Sequence, residues 1–149
     1  MSSEVAELIE EAGRTVGALV TGRRTFDVAH AWGGKHPMDV PVIVVTHRAP
    51  QEWIREGSPF TFVTDGVESA IKTAKKIAGD KDVAVGAPDI SQQCLKAGLI
   101  DEINLDLVPV LLGQGIRLFD HLGDQAIELE SMSVTNARGV THLLFRVVK

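Results

Sequence analysis

Two arginines beside a glycine are the first residues of this chain with chemical potential. Gly22-Arg23-Arg24-Thr25-Phe26 follows the apolar run Ala18-Leu19-Val20-Thr21. A glycine at a strand-to-helix turn lets backbone approach a ligand closely. Amides left free at a helix start favour an anion, and guanidinium donors match phosphate. The same residues also suit a solvated loop. Two more apolar runs end on comparable residues: Val42–Val45 on Thr46-His47-Arg48, and Val83–Val85 on Gly86-Ala87-Pro88-Asp89. In parallel sheets ligands bind beyond the carboxyl ends of the strands. If these strands are neighbours, their loops line one crevice of amides, hydroxyls and three arginines, which suits a phosphate-rich dinucleotide. A separate feature is Asp106, which shares one face of a strand with Asn104 while Ile103, Leu105 and Leu107 take the other. A mid-sheet carboxylate in a crevice can donate a proton or anchor a substrate. It also reads as hydrogen-bonded structure near a sheet end.

Composition narrows the setting for that chemistry. The chain has 149 residues, 44% of them hydrophobic and 23% charged, which fits one ordinary globular domain. Its formal net charge of -5 argues against a general nucleic-acid binder. The apolar run Leu107–Leu112 is far too short for a bilayer and contains Pro109. The opening residues lack the basic-then-apolar pattern of a signal peptide. Cys94 is the single cysteine, so a reducing, cytoplasmic setting is expected, with the thiol as a small buried residue on a helix face. The histidines show no metal-ligand spacing, His30 and His36 being at best a weak pair, and no metal is expected. Trp32 and Trp53 read as packing residues. Gly113-Gln114-Gly115 lacks the Lys-Ser or Lys-Thr of a phosphate loop and reads as a turn.

The elements that must position these residues follow from periodicity. Helical spacing places a helix over residues 3–12, ending at Gly13, and another over 66–78 through Val67, Ala70, Ile71, Ala74 and Ile77. Strands are predicted over Val16–Thr21, Val42–Val45, Thr61–Val63 and Val83–Val85, the second and fourth as buried strands. Thr25–Ala29 reads as a short helix, 31–37 as a loop, and Ile90–Ala97 as one face of a helix. Ile103–Val108 alternates at period two, and 126–135 with 141–148 reads as an antiparallel pair across Asn136-Ala137-Arg138-Gly139. Together they give an α/β three-layer sandwich whose sheet is mostly parallel, with a C-terminal antiparallel hairpin.

These residues, in this order, resemble the dihydrofolate reductase-like family. Gly22-Arg23-Arg24-Thr25-Phe26 is similar to its Gly-Arg-x-Thr-aromatic element, and Val44-Val45-Thr46-His47-Arg48 to its second cofactor strand end. Val83-Ala84-Val85-Gly86-Ala87 resembles the strand and glycine turn that meet the pyrophosphate. Leu99–Ile103 and Pro109-Val110-Leu111-Leu112-Gly113-Gln114-Gly115 through Phe119 resemble the branch that holds the reductase domain of riboflavin biosynthesis. The resemblance covers residues 4–148. It implies NADPH as cofactor and hydride delivery to a pterin- or pyrimidine-like heterocycle. By matched position, Gly22, Arg23, Arg24 and Thr25 would hold the phosphate region. Thr46, His47 and Arg48 would lie by the adenosine ribose, and Gly86, Ala87, Asp89 and Ile90 would form the third wall. Related domains are commonly dimeric, so a homodimer is expected, with Pro109–Phe119 contributing.

Two departures bear on activity. Ala87 stands where the family has a second glycine, and Pro88 removes an amide donor, so altered pyrophosphate contacts are expected. The family also begins with a strand and a Ser-Leu-Asp-Gly-Phe-like loop over the substrate, and this sequence starts at the helix that follows. A truncated start, or another strand in that slot, is expected. The alternative to a reductase is a catalytically silent nucleotide-binding or assembly domain.

Overall fold

The computed structural model describes Glu10, Glu11 and residues 13–149. Most of the helix expected over 3–12 lies outside the described residues, but Gly13, Arg14 and Thr15 are helical, so Gly13 does not end it. β1 (Val16–Gly22) leads directly into α1 (Arg23–Val28). A tight turn, His30–Gly34, and then β2 (Val42–Val45), a single 3-10 turn at Gln51–Trp53, and β3 (Phe60–Val63) follow. α2 (Val67–Ala78), β4 (Asp82–Val85) and α3 (Pro88–Lys96) complete the alternating part. The rest is β5 (Glu102–Leu107), β6 (Leu129–Ala137) and β7 (Val140–Val147). The chain divides into two compact units, one ending at Ser91 and the other spanning Gln92–Lys149.

The first unit holds a four-stranded parallel sheet in the order β3-β2-β1-β4. Val42, Ile43 and Val44 are fully buried, as a β-branched run covered on both faces requires. Against one face Leu19, Val42, Val44 and Phe60 pack with Phe26, Ala31 and Val40. Phe26 is the hub, with Trp32, Trp53, Phe60 and Phe62 edge-on to its ring at centroid separations of 5.1–6.4 Å. Trp32 and Trp53 are thus packing residues, as expected. α2 packs on β1 and β2 through Val67, Ala70, Ile71, Ala74 and Ala78. Ile77, expected on that stripe, is instead 43% exposed, because the stripe returns to the sheet at Ala78. β4 also differs from its sequence reading. Val83, Ala84 and Val85 are only half-buried, since among the described residues β4 pairs with β1 alone and forms the sheet's margin.

The second unit contains an antiparallel sheet in the order β5-β7-β6, hydrogen-bonded separately from the parallel one. Each β5 residue from Glu102 to Leu107 opposes one on β7, from Arg146 back to Thr141. β6 pairs along the other side of β7, with a shift between Ser131 and Ser133. β5 is therefore a marginal strand, so Asp106 is not in mid-sheet as the alternation suggested. Between β5 and β6 no residue is in a helix or strand, and Leu107–Phe119 carries exposed apolar side chains.

Candidate functional site

Parallel pairing of β4, β1 and β2 brings their carboxyl ends to one margin of the sheet. Gly22 lies opposite Val45, Val20 opposite Val85, and the Gly86 amide donates to the Val20 carbonyl at 2.9 Å. The three loops singled out in the sequence are consequently neighbours within the first unit.

Arg23 ties two of them together. Its Nη1 donates to Thr46 Oγ1 at 3.2 Å and to the Arg48 carbonyl at 2.5 Å, while Nε donates to Asp27 Oδ1 at 2.9 Å. Thr46, 8% exposed, closes its own turn: Oγ1 donates to the Arg48 carbonyl at 3.0 Å and accepts the Arg48 amide at 3.3 Å. Arg23 and the Thr46 hydroxyl are therefore committed to holding the loops. The basic residues left over are Arg24, His47 and Arg48. All three side chains are exposed, and none has a hydrogen bond or ion pair among the described residues. A chain of net charge -5 that leaves two unneutralised arginines on two adjacent loops, with His47 beside them, has made an anion-attracting margin.

The third loop is shaped by packing. A Cβ on Gly22 would lie 3.1 Å from Ile90 Cγ1, so the glycine admits Ile90, and Ile90 is 3% exposed. Close approach at Gly22 thus serves α3 packing, and Ile90 is a core residue. Ala87 has φ of +77°, not the negative value that would have made it an easy substitute for glycine. Pro88 opens α3 in its first turn, where a missing amide leaves no helical bond unmade, and a bond runs from the Ser91 amide to the Ala87 carbonyl at 3.0 Å. Asp89 sets a carboxylate in the first turn of α3, where it complements the helix's positive end. An incoming anion would share that end with it.

In the second unit Asp106 has a partner that the sequence did not reveal. His142, opposite it on β7, places Nδ1 2.6 Å from Asp106 Oδ1. A carboxylate can only accept, so Nδ1 carries the proton and Nε2 remains for another contact. Asp106 is 67% exposed, and His142 lies four residues along β7 from Arg146, which makes a second cross-strand pair, Arg146 Nη2 to Glu130 Oε2 at 2.5 Å. Only strand register joins residues this far apart in sequence, so no local motif signals the pairing of His142 with Asp106. Gln92, which no sequence motif marks, is 5% exposed, and its Nε2 donates to the carbonyls of Arg117 and Leu118 at 3.0 and 3.1 Å. Burial pushes the Cys94 thiol up to about 11, so it is an inert core group. No cluster of metal-ligating side chains occurs among the described residues.

The RibD C-terminal domain family model matches residues 1–143. The chain belongs to this family. A curated relative, the uncharacterized protein YwjB of Bacillus subtilis strain 168, is 24% identical over 112 residues. That match is 75% of this chain and 63% of YwjB, so the chain spans less than two thirds of the relative's length. Among solved structures, a candidate riboflavin biosynthesis protein from Shewanella sp. PV-4 superposes with a TM-score of 0.76 at 23% identity, covering 100% of this chain and 81% of that one. Acinetobacter baumannii RibD gives 0.69 at 15% identity, with 99% of this chain on 51% of RibD. A pyrimidine reductase-like protein from Corynebacterium diphtheriae gives 0.67 at 14%, covering 100% and 83%. The dihydrofolate reductase-like resemblance and the mixed α/β fold read from the sequence are both borne out by this RibD-type, reductase-type fold.

Proposed function

We propose that this RibD C-terminal-type chain is an NADPH-dependent reductase of a pterin- or ribosylamino-pyrimidine-like heterocycle. The observation that carries the reading is the basic margin: Arg24, Arg48 and the His47 imidazole, exposed and unpaired among the described residues, on loops stapled by Arg23 and Thr46. These residues fit the charge of a phosphorylated dinucleotide. Arg24 would meet the pyrophosphate region, and His47 and Arg48 a ribose 2′-phosphate, which distinguishes NADPH from NADH. NADPH, when bound, supplies the hydride. The chain's own contribution is positional. Arg23 fixes the separation of the two loops, and the aromatic cluster under Phe26 fixes α1, on which both arginines ride. The reading also includes a homodimer in the reducing cytoplasm, where Cys94 stays a thiol; no described helix is long and apolar enough to cross a membrane.

Calorimetry of the purified chain tests it. Saturable NADPH binding, stronger than NADH binding, is expected, with Arg24→Ala or Arg48→Ala weakening NADPH by about tenfold or more, the worth of one charge-assisted contact. Absence of binding at millimolar NADPH would sink the reading. Cofactor oxidation with dihydrofolate or a ribosylamino-pyrimidine then separates a reductase from a silent nucleotide-binding domain, which would bind and not turn over.

A further inference from the structure

The turn after α1 is built in an unusual way. His30, Ala31, Trp32, Gly33 and Gly34 have φ of +51°, +52°, +50°, +72° and +109°, five successive residues in a region that favours glycine. L-residues enter it as isolated positions, seldom in runs, so three non-glycine residues there must be held by their surroundings. Ala31, 2% exposed, is seated in the core, and the Trp32 ring stacks on Phe60 at 6.5 Å and meets Phe26 edge-on at 6.4 Å. His36 also lies edge-on against Trp32, its ring 4.7 Å away at 68°. His36 Nδ1 accepts the Met38 amide at 3.1 Å, and its carbonyl accepts the Asp39 amide at 2.8 Å. Met38 itself packs on the same aromatic cluster.

We propose that His36 is a proton-sensitive latch on this turn, closed when neutral Nδ1 accepts the Met38 amide and opened when a proton on Nδ1 removes that acceptor and frees Trp32. The imidazolium has donors at both nitrogens, so it would face the Met38 N–H with an N–H of its own. The charged groups on the elements around the ring are His30, Lys35 and Asp39 of the turn, Asp27 of α1, Arg55 over the Trp53 ring, and Glu10, Glu11 and Arg14 of the helical segment whose Gly13 abuts the Met38 carbonyl. Lys35 and Asp39 pair with each other at 3.2 Å, and Asp27 pairs with Arg23. Burial of His36 is what moves its affinity for protons, and it lowers it. The open turn binds the proton more readily than the closed one. Closure is therefore complete above the ordinary histidine range and is lost as pH falls toward the lowered value. Left-handed backbone at Ala31 and Trp32 relaxes on opening, which adds to the acid response. Because Phe26 lies on α1 between Arg24 and Asp27, the latch also governs how firmly α1 is seated.

The test needs no ligand, so its outcome is independent of the proposed reductase reading. In W53F, where Trp32 is the remaining tryptophan, emission should shift to longer wavelength between about pH 8 and about pH 5, the span in which histidine titrates. The midpoint should fall below the ordinary histidine value, and the far-ultraviolet circular dichroism should not change. Adding H36N should abolish the shift, because Asn Oδ1 occupies the place of Nδ1 and accepts an amide two residues on without titrating. In the unsubstituted protein, the Met38 amide resonance should move with the same midpoint. Invariant Trp32 emission in W53F, an unaltered shift in the H36N background, or a Met38 resonance that ignores pH would each overturn the latch.

Discussion

Ala87 carries a methyl group where the backbone is shaped for none. At φ of +77° an L-residue meets the steric penalty that glycine escapes, on the order of 1 kcal/mol or more. The side chain at that spot is only half-buried. Ala87→Gly should therefore stabilise the protein by about 1 kcal/mol, the relief of strain exceeding the entropy of a freer unfolded chain. For a chain of this size that is a rise in Tm of roughly 2–4 °C by calorimetry. An unchanged or lower Tm would mean that the strain is already relieved elsewhere. The position also marks how residue type and role can part company. Arg23 and Arg24 are adjacent and identical in sequence, yet Arg23 is spent on Asp27, Thr46 and the Arg48 carbonyl while Arg24 reaches solvent.

Between elements, the tightest seam in the first unit is where β1 meets the end of α2. A Cβ on Gly17 would lie 2.8 Å from Ala78 Cα and 2.9 Å from Lys81 Cβ. The nearest obstacle is backbone and cannot rotate away, so Gly17→Ala should cost about 1–3 kcal/mol by overpacking, read from urea unfolding midpoints. Full retention of stability would show that α2 can slide on β1. Seams of this kind were not legible in the sequence, whereas the elements largely were. Val42–Val45 emerged residue for residue because four β-branched side chains leave little alternative. The convergence of Arg24, His47 and Arg48 followed from strand order, which the βαβ alternation constrains. What sequence withheld was pairing at a distance and backbone at odds with residue type. Val83-Ala84-Val85 reads alike in mid-sheet or at a margin, and Asp106 gives no hint of His142. The left-handed turn through Ala31 and Trp32 runs against the preference of both residues. Its cause is the aromatic cluster that holds it.

At the scale of the whole molecule, the segment after β5 is the feature most at odds with an isolated chain in water. Leu107, Val108, Val110, Leu111, Leu112, Ile116, Leu118 and Phe119 are all exposed, Leu111 completely and Leu112 to 82%. Gln92 fixes the far end of this segment through the carbonyls of Arg117 and Leu118, so one boundary of the patch is held. At about 100 Å² for each such side chain the patch offers on the order of 800 Å², the share one partner gives to a standard interface. Arg117 is its only charged residue, so two copies related by a two-fold axis would meet without opposing like charges. A second copy of this chain is the occupant we propose, and Leu111→Glu is the variant that decides it. On a monomer, replacing a fully exposed leucine changes stability by no more than about 0.5 kcal/mol and leaves sedimentation as it was. In a dimer it sets two carboxylates into an apolar contact, and the sedimenting mass should halve while far-ultraviolet circular dichroism is retained. An unsubstituted protein that sediments as a monomer at tens of micromolar, or a Leu111→Glu variant that remains dimeric, would show that the patch meets something other than its own copy.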